Sequence, residues 1–342
     1  MNLFIFLYIY YIFLLYSLFH LTYPHFSIMI KSKKFHYLER KLFMTVSHGT
    51  NLASIKEANR ALALKLISTG QCISRANLAR SMHLTKTTLG NIVSDLIANN
   101  IIQEYVSPPN SEDTDVVPGR KPIVLDLSPR SPLIMGMLIK RNLFSAILAD
   151  LKGRVLQQID HEYNEMDRDT LIHTLCSLYE KLREHQERNI VAIGVSSLGP
   201  VDTINQKILN PANFWGIHDL DIPNILSSYT GLPAFLIHDS SAGALAEKIY
   251  SETAQSLDNF LYLHIMNGIG TGYILKGQLY DGDTGQSGEL GHTSINFTGP
   301  KCTCGNQGCL ELYANLDSMN HHIDRLRRIY RGSTSLKRYP AN

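Results

Sequence analysis

The sequence predicts a chain in two parts: a small helical module with a two-stranded wing, then a larger α/β domain. Three observations lead there. Apolar residues recur at helical spacing from Ala58 to Ile97, broken by two capped turns. From Leu133 onward, strand-like apolar runs alternate with helical stretches, the rhythm of an α/β domain. Further along, Cys302, Cys304 and Cys309 share one short glycine-containing run beside His292, a set able to tie a loop to a metal.

With 342 residues the chain is long enough for two domains and a sizeable core. Its 32 basic and 30 acidic residues nearly cancel, so no overall positive charge announces a nucleic-acid binder. Three of the five cysteines belong to the cluster. Cys72 and Cys176 lie in helical patterns and read as buried thiols. No even-numbered disulfide framework remains, which fits a reducing cytoplasm.

Residues 1–43 depart from this picture. Leu3 to Tyr23 is almost wholly apolar and aromatic, and Lys31, Lys33 and Lys34 follow it. The run is long enough to span a membrane, and the trailing lysines would keep the next domain in the cytoplasm, giving an inner-membrane anchor. It does not read as a cleavable signal, because no basic residue precedes it and no small-x-small site follows. The other reading is a misplaced start: the stretch is similar to translated A/T-rich upstream DNA, and Met44 offers a later beginning.

The first folded part is expected over residues 44–128. Ala61, Leu62, Leu64, Leu66 and Ile67 give the first helix an apolar face that Gly70 ends. Ser74 caps a second helix, opened by Arg75 and running to Met82, and Thr85 caps a third from Lys86 to Ile97. Two helices joined by the tight turn His83–Leu84 make a helix-turn-helix arrangement. Arg75, Lys86, Thr87, Thr88 and Asn91 would then face DNA, in the major groove or at its phosphates, with Leu78, Leu84, Leu89, Val93 and Leu96 in the seam. A three-helix bundle without a DNA role is the plainer alternative. Ile101–Val106 and Lys121–Leu127 read as the strands of a wing. Between Met44 and Ser107, six basic residues (Lys56, Arg60, Lys65, Arg75, Arg80, Lys86) stand against Glu57, Asp95 and Glu104. That excess is modest, so affinity would need a dimer.

The second part is expected over residues 129–342. Leu133–Ile139 and Phe144–Asp150 read as strands, Thr170–Glu187 as a helix, and Val191–Ser196 as a third strand. Thiolate and imidazole suit Zn²⁺, and Gly305 and Gly308 let the run fold back so that Cys302, Cys304, Cys309 and His292 converge. Four protein ligands leave no open position, so the zinc reads as structural. Glu289 and Glu311 flank it.

Asn267-Gly-Ile-Gly-Thr-Gly272, Lys276-Gly-Gln-Leu-Tyr280, Gly288-Glu-Leu-Gly-His292 and the cysteine run together resemble the ROK family, which holds sugar kinases and sugar-responsive transcriptional repressors. The resemblance spans Ser47 to Asn315. It implies an actin-like, ribonuclease-H-like fold in which two lobes close on a cleft. Gly119-Arg120-Lys-Pro122 is similar to the family's minor-groove contact, in which Arg120 would enter a narrow A·T-rich groove. In the family's kinases the first hairpin carries a glycine-rich phosphate loop. Here Leu138-Ile-Lys-Arg-Asn142 replaces it, which argues against ATP-dependent catalysis. Asp239 matches the kinases' catalytic base; without turnover it is expected to accept sugar hydroxyls, the plain alternative being a helix N-cap. Gly199, Asn213, Glu289, His292 and Glu311 match the sugar-facing side, with one His292 ring nitrogen on zinc and the other toward a sugar oxygen.

The resemblance favours the repressor branch: operator DNA on the wing module, and a sugar or sugar-phosphate effector in the cleft of a homodimer or tetramer. Its rivals are a sugar kinase and a repressor controlled by a sugar-transporter subunit. The family continues well past the cysteine run, so the second lobe is expected to be incomplete, with strand edges and apolar surface exposed.

Overall fold

The computed structural model describes residues 52–70, 74–106, 123–283 and 286–329. The apolar run Leu3–Tyr23, Cys72, Gly119–Pro122 and the tail from Tyr330 lie outside them. Among the described residues no helix is long and apolar enough to cross a membrane.

The N-terminal part holds α1 (Leu52–Ser68), α2 (Arg75–Ser81), α3 (Lys86–Ala98) and the antiparallel pair β1 (Ile102–Val106) and β2 (Ile123–Leu127). The first helix begins six residues before the expected Ala58, since nothing between Leu52 and Ala58 breaks it. The two expected caps are made. Ser74 Oγ accepts from the N–H of Asn77, and Thr85 Oγ1 from the N–H of Thr88, both at 3.2 Å. His83 turns the chain between α2 and α3 at φ +51°. Leu78, Leu89, Val93 and Leu96 fill the seam.

The α/β part opens with β3 (Leu133–Ile139), β4 (Leu143–Ala149) and β5 (Val155–Glu162), an antiparallel meander. Helix α4 (Arg168–Arg183), capped by Asp167, crosses to β6 (Ile190–Ser197). It stops four residues short of the expected Glu187, because the chain turns through His185 at φ +63°. The short pair β7 (Val201–Asp202) and β8 (Lys207–Ile208) leads to α5 (Ile222–Thr230) and β9 (Ala234–His238). The sheet order is β5-β4-β3-β6-β9, with β3, β6 and β9 parallel. Every residue of β3 is buried because both faces of the sheet are covered. Met135, Met137 and Ile139 pack with Leu171, Leu175 and Leu226 of α4 and α5. Ile134 and Leu138 face the other way and join Ala63, Leu64 and Ile67 of α1 in one cluster. The N-terminal module is thus seated on the sheet through a shared core.

Helix α6 (Asp239–Tyr250) follows β9 directly and carries Ala246 into that same cluster. Beyond it lies another meander, β10 (Phe260–Ile265), β11 (Ile269–Leu275) and β12 (Gln278–Tyr280). Its strand β11 lies so close to α6 that a Cβ on Gly272 would fall 2.3 Å from the Ser240 carbonyl oxygen. On the other face Leu261, Leu263 and Ile265 are exposed, and among the described residues β10 has a partner on one edge only. Helices α7 (Glu311–Ala314) and α8 (Leu316–Ile329) close the described chain.

Candidate functional site

The register of the parallel strands sets the site. Ile139 lies beside Ser197, and Ser197 beside His238. The residues that follow, Lys140, Leu198 and Asp239, therefore leave the sheet side by side at the carboxyl ends of three strands, where open α/β sheets place their ligands. They line a cavity of about 520 Å³ whose opposite wall is the β10–β11 turn, Met266 to Gly270, with Glu289, His292 and Glu311.

Five of the six residues expected on the sugar side meet there: Gly199, Asp239, Glu289, His292 and Glu311. Asn213 does not. It is exposed at φ +55° while the next residue, Phe214, takes the inward position at 1% exposure, and Ala212 lines the cavity instead. Gly199 is required by its surroundings, since a Cβ would lie 2.5 Å from Glu289 Oε1 and 2.7 Å from His238 Nε2.

Asp239 is the first residue of α6, and the cap position belongs to His238. The carboxylate is thereby released from the capping role and turned into the cavity, with His238 Nε2 at 3.4 Å from Oδ1. The other ring nitrogen of His238 is held by Ser240 Oγ at 2.9 Å. Glu311 is almost buried, and its Oε2 accepts from the N–H of Ile269 at 3.1 Å. Burial pulls the Lys140 ammonium below its ordinary pKa, and the Asp239 carboxylate pulls it back up. Burial also lowers His264, against the pull of Asp239, so this imidazole enters the cavity as a neutral donor and acceptor. The sequence alone does not single out Lys140 or His264. Their signal is positional, at or beside strand ends that only the register brings together.

The expected phosphate-loop position is the tight turn after β3. Lys140 N–H donates to Leu143 O at 2.9 Å, and Tyr163 Oη donates to Lys140 O. No glycine stands in it, and Lys140, Arg141 and Asn142 project side chains where a phosphate loop would present bare backbone. Across the cavity Gly270 and Gly272 are kept for packing. A Cβ on either would strike α6, at Ser240 Oγ (2.8 Å) or at Ser240 O (2.3 Å).

Behind His292 lies the metal cluster. One ligand atom from each of His292, Cys302, Cys304 and Cys309 lies within 4.8 Å of every other. His292 Nδ1 is 3.6 Å from Cys302 Sγ, and Cys304 Sγ is 3.7 Å from Cys309 Sγ. A tetrahedron with Zn–S near 2.3 Å and Zn–N near 2.05 Å has edges of about 3.6 Å (N to S) and 3.8 Å (S to S). The cluster fits a metal of that size. Burial raises the Cys302 thiol, but hydrogen bonds from Cys304, Cys309 and His292 outweigh it and bring it down to about 7. Burial pushes Cys309 up to about 12. With Nδ1 toward the cysteines, His292 Nε2 points to the cavity, 3.7 Å from Glu289 Oε2.

On the N-terminal module Lys86, Thr87, Thr88 and Asn91 are all exposed at the start of α3. Arg75 is not free, since its Nε lies 2.5 Å from Glu104 Oε1 and braces α2 against β1. Arg60, counted among the basic residues, is 3% exposed and cannot reach a nucleic acid. Arg120 lies outside the described residues. Cys176 is half-buried in α4, and its thiol is raised by burial.

Residues 135–337 match the model of the ROK family. The xylose repressor of Bacillus subtilis is 33% identical over 265 residues, which cover 76% of this chain and 66% of the repressor. The chain thus spans about two thirds of the length of the curated relatives it matches. A crystal structure of a ROK family transcriptional regulator, a homologue of the Escherichia coli Mlc protein, superposes with a TM-score of 0.65 at 28% identity, over 82% of this chain and 69% of that one. A ROK glucokinase from Streptomyces griseus, solved with glucose and AMPPNP, shares the fold at a TM-score of 0.53 and 24% identity, over 58% of this chain and 62% of its own. With its fold, its cavity and its cysteine cluster, this chain belongs to the ROK family.

Proposed function

We propose that the chain is a sugar-responsive transcriptional repressor, in which α1–α3 and the β1–β2 wing form a winged helix-turn-helix on operator DNA. A sugar in the cavity releases that DNA. Lys86, Thr87, Thr88 and Asn91 contact the major groove or its phosphates, Arg120 the minor groove, and Arg75 acts through its pairing with Glu104. Asp239, Glu289, His292 and Glu311 bind sugar hydroxyls. A structural Zn²⁺ on His292, Cys302, Cys304 and Cys309 orients the His292 ring and supplies no chemistry of its own. The protein works as a homodimer or tetramer in the cytoplasm and transfers no phosphoryl group.

One observation carries this reading: helix α6 joins the two parts. It begins with Asp239 in the cavity and ends with Ala246 and Tyr250 packed among residues of α1 and the sheet. A ligand that shifts the start of α6 also shifts the seat of the DNA-facing helices, which gives both sites a common two-state element. The names of the relatives, xylose repressor and transcriptional regulator, support the same reading.

The test is operator binding. A duplex enriched from a random pool should bind the purified chain, and one of a panel of sugars should release it. Lys86→Ala should weaken binding evenly across sequences and reduce the salt slope by about one unit. Arg120→Ala should cost more on A·T-flanked than on G·C-flanked sites. Failure to enrich any duplex would refute the repressor, and sugar phosphorylation from ATP would restore the kinase.

A further inference from the structure

Lys140 and Asp239 leave the sheet two strands apart, on either side of Leu198, so their backbones stand about 10 Å from each other. Both residues line the cavity. An ammonium only donates and a carboxylate only accepts. Together they suit two neighbouring hydroxyl groups, one whose hydrogen goes to Asp239 and one whose oxygen accepts from Lys140.

The charge around them narrows the ligand further. Five carboxylates line the cavity against two basic side chains, Lys140 and Arg141. Asp160 and Glu162 stand on the neighbouring strand β5, where Glu162 pairs with Leu143 beside the turn that carries Arg141. A phosphate ester would bring about 1.5 to 2 further negative charges into that surrounding. The backbone offers it little. The N–H of Ile269 is taken by Glu311 at 3.1 Å, and that of Thr271 by Gly288 O at 2.8 Å. Two of the amides in the glycine-rich segment are therefore spent on the protein itself.

From this geometry we propose that Lys140 and Asp239 act as a donor–acceptor couple for a vicinal diol of a neutral sugar, and that the cavity rejects phosphorylated sugars. The inference rests on reading the cavity as an effector site. Lys140 is then a ligand-binding residue placed where the family's kinases carry backbone for ATP.

Calorimetric titration of the zinc-loaded full chain with D-xylose, D-glucose and glucose 6-phosphate tests it. A neutral sugar should bind, and glucose 6-phosphate should bind at least tenfold more weakly than glucose. Lys140→Met should weaken the neutral sugar by about tenfold to a hundredfold, the worth of a charge-assisted hydrogen bond. Lys140→Arg should recover most of the loss, because it restores the donor. Should Lys140→Met fail to fold, Lys140→Gln and the wild-type ratio of glucose to glucose 6-phosphate decide the matter. Tighter binding of the phosphate would overturn the proposal, as would unchanged sugar affinity in a folded Lys140→Met. If sugar still releases operator DNA from that variant at the wild-type concentration, the repressor stands and this assignment falls. If no sugar binds and none releases DNA, both fall.

Discussion

The two turns that face each other across the cavity, Lys140–Asn142 and Met266–Gly268, hold equivalent places. Each closes the first hairpin of an antiparallel meander, β3-β4-β5 on one side and β10-β11-β12 on the other. They are made of opposite materials. The first is bulky and charged; the other runs into Gly268, Gly270 and Gly272. As a motif, the glycine-rich turn resembles half of a phosphate site. Its contacts give the glycines another reason. Added Cβ atoms would lie 2.9 Å from Glu311 Oε2, 2.8 Å from Ser240 Oγ and 2.3 Å from Ser240 O, in that order. Strand β11 and helix α6 are in backbone contact, and only glycine permits it.

The largest effect that sharpens this contrast comes from behind the glycine-rich turn. Glu311 supports Ile269 and follows Cys309 by two residues, so the cysteine–histidine cluster adjoins one wall of the cavity and not the other. Cys304→Ser should lose the zinc and the ligand response together, while the β3–β4 side keeps its native spectrum. Metal analysis beside ligand titration checks this. A metal-free preparation that still binds sugar would leave the zinc no part in ligand binding. Next in size is Gly272→Ala. The clash is with backbone, which cannot swing aside, so a loss of about 3 kcal/mol is expected in urea unfolding, at the upper end of overpacking costs. Arg141→Gly in the opposite turn should cost no more than about 1 kcal/mol, the entropy of the added glycine. Equal losses at the two positions would mean that the two turns are held in the same way.

The same contrast explains what can be read without coordinates. The cysteine–histidine cluster is legible because it is local: three cysteines and two glycines lie within a few residues, and only His292 is drawn from a distance. The helix caps at Ser74 and Thr85 are legible for the same reason. Lys140 and His264 are not, because their meeting depends on the register of β3, β6, β9 and β10, which no short window contains. Asn213 does not line the cavity, since the bulky Phe214 beside it takes the inward position. Arg60 counts as surface charge along the sequence, yet its helix buries it against the rest of the module. Arg75 keeps its charge but spends it on Glu104. Charge counted along a chain overstates charge available at a surface: of the six basic residues Arg60 is buried, Arg75 pairs with Glu104, Lys56 pairs with Asp95 and Arg80 donates to Asn77.

The effect confined to ligand release bears on Asp239, which lies between the two turns and belongs to neither. If it accepts sugar hydroxyls, Asp239→Asn removes one charge-assisted hydrogen bond worth roughly 1.5–3 kcal/mol. Effector affinity should then fall by about one to two decades, read by calorimetry. The amide still fits the site, so the fold should hold. Nothing in the cap of α6 is lost, because His238 occupies that position. Operator binding without effector should hardly change, since Asp239 opens α6 at the cavity while Ala246, near the other end, is the residue that joins the cluster shared with α1. The variant would be a repressor that grips its operator normally and is hard to release. Unchanged effector affinity would return Asp239 to a structural part. Weakened operator binding in the absence of sugar would mean instead that the start of α6 already sets the seat of the DNA-facing helices before any ligand arrives.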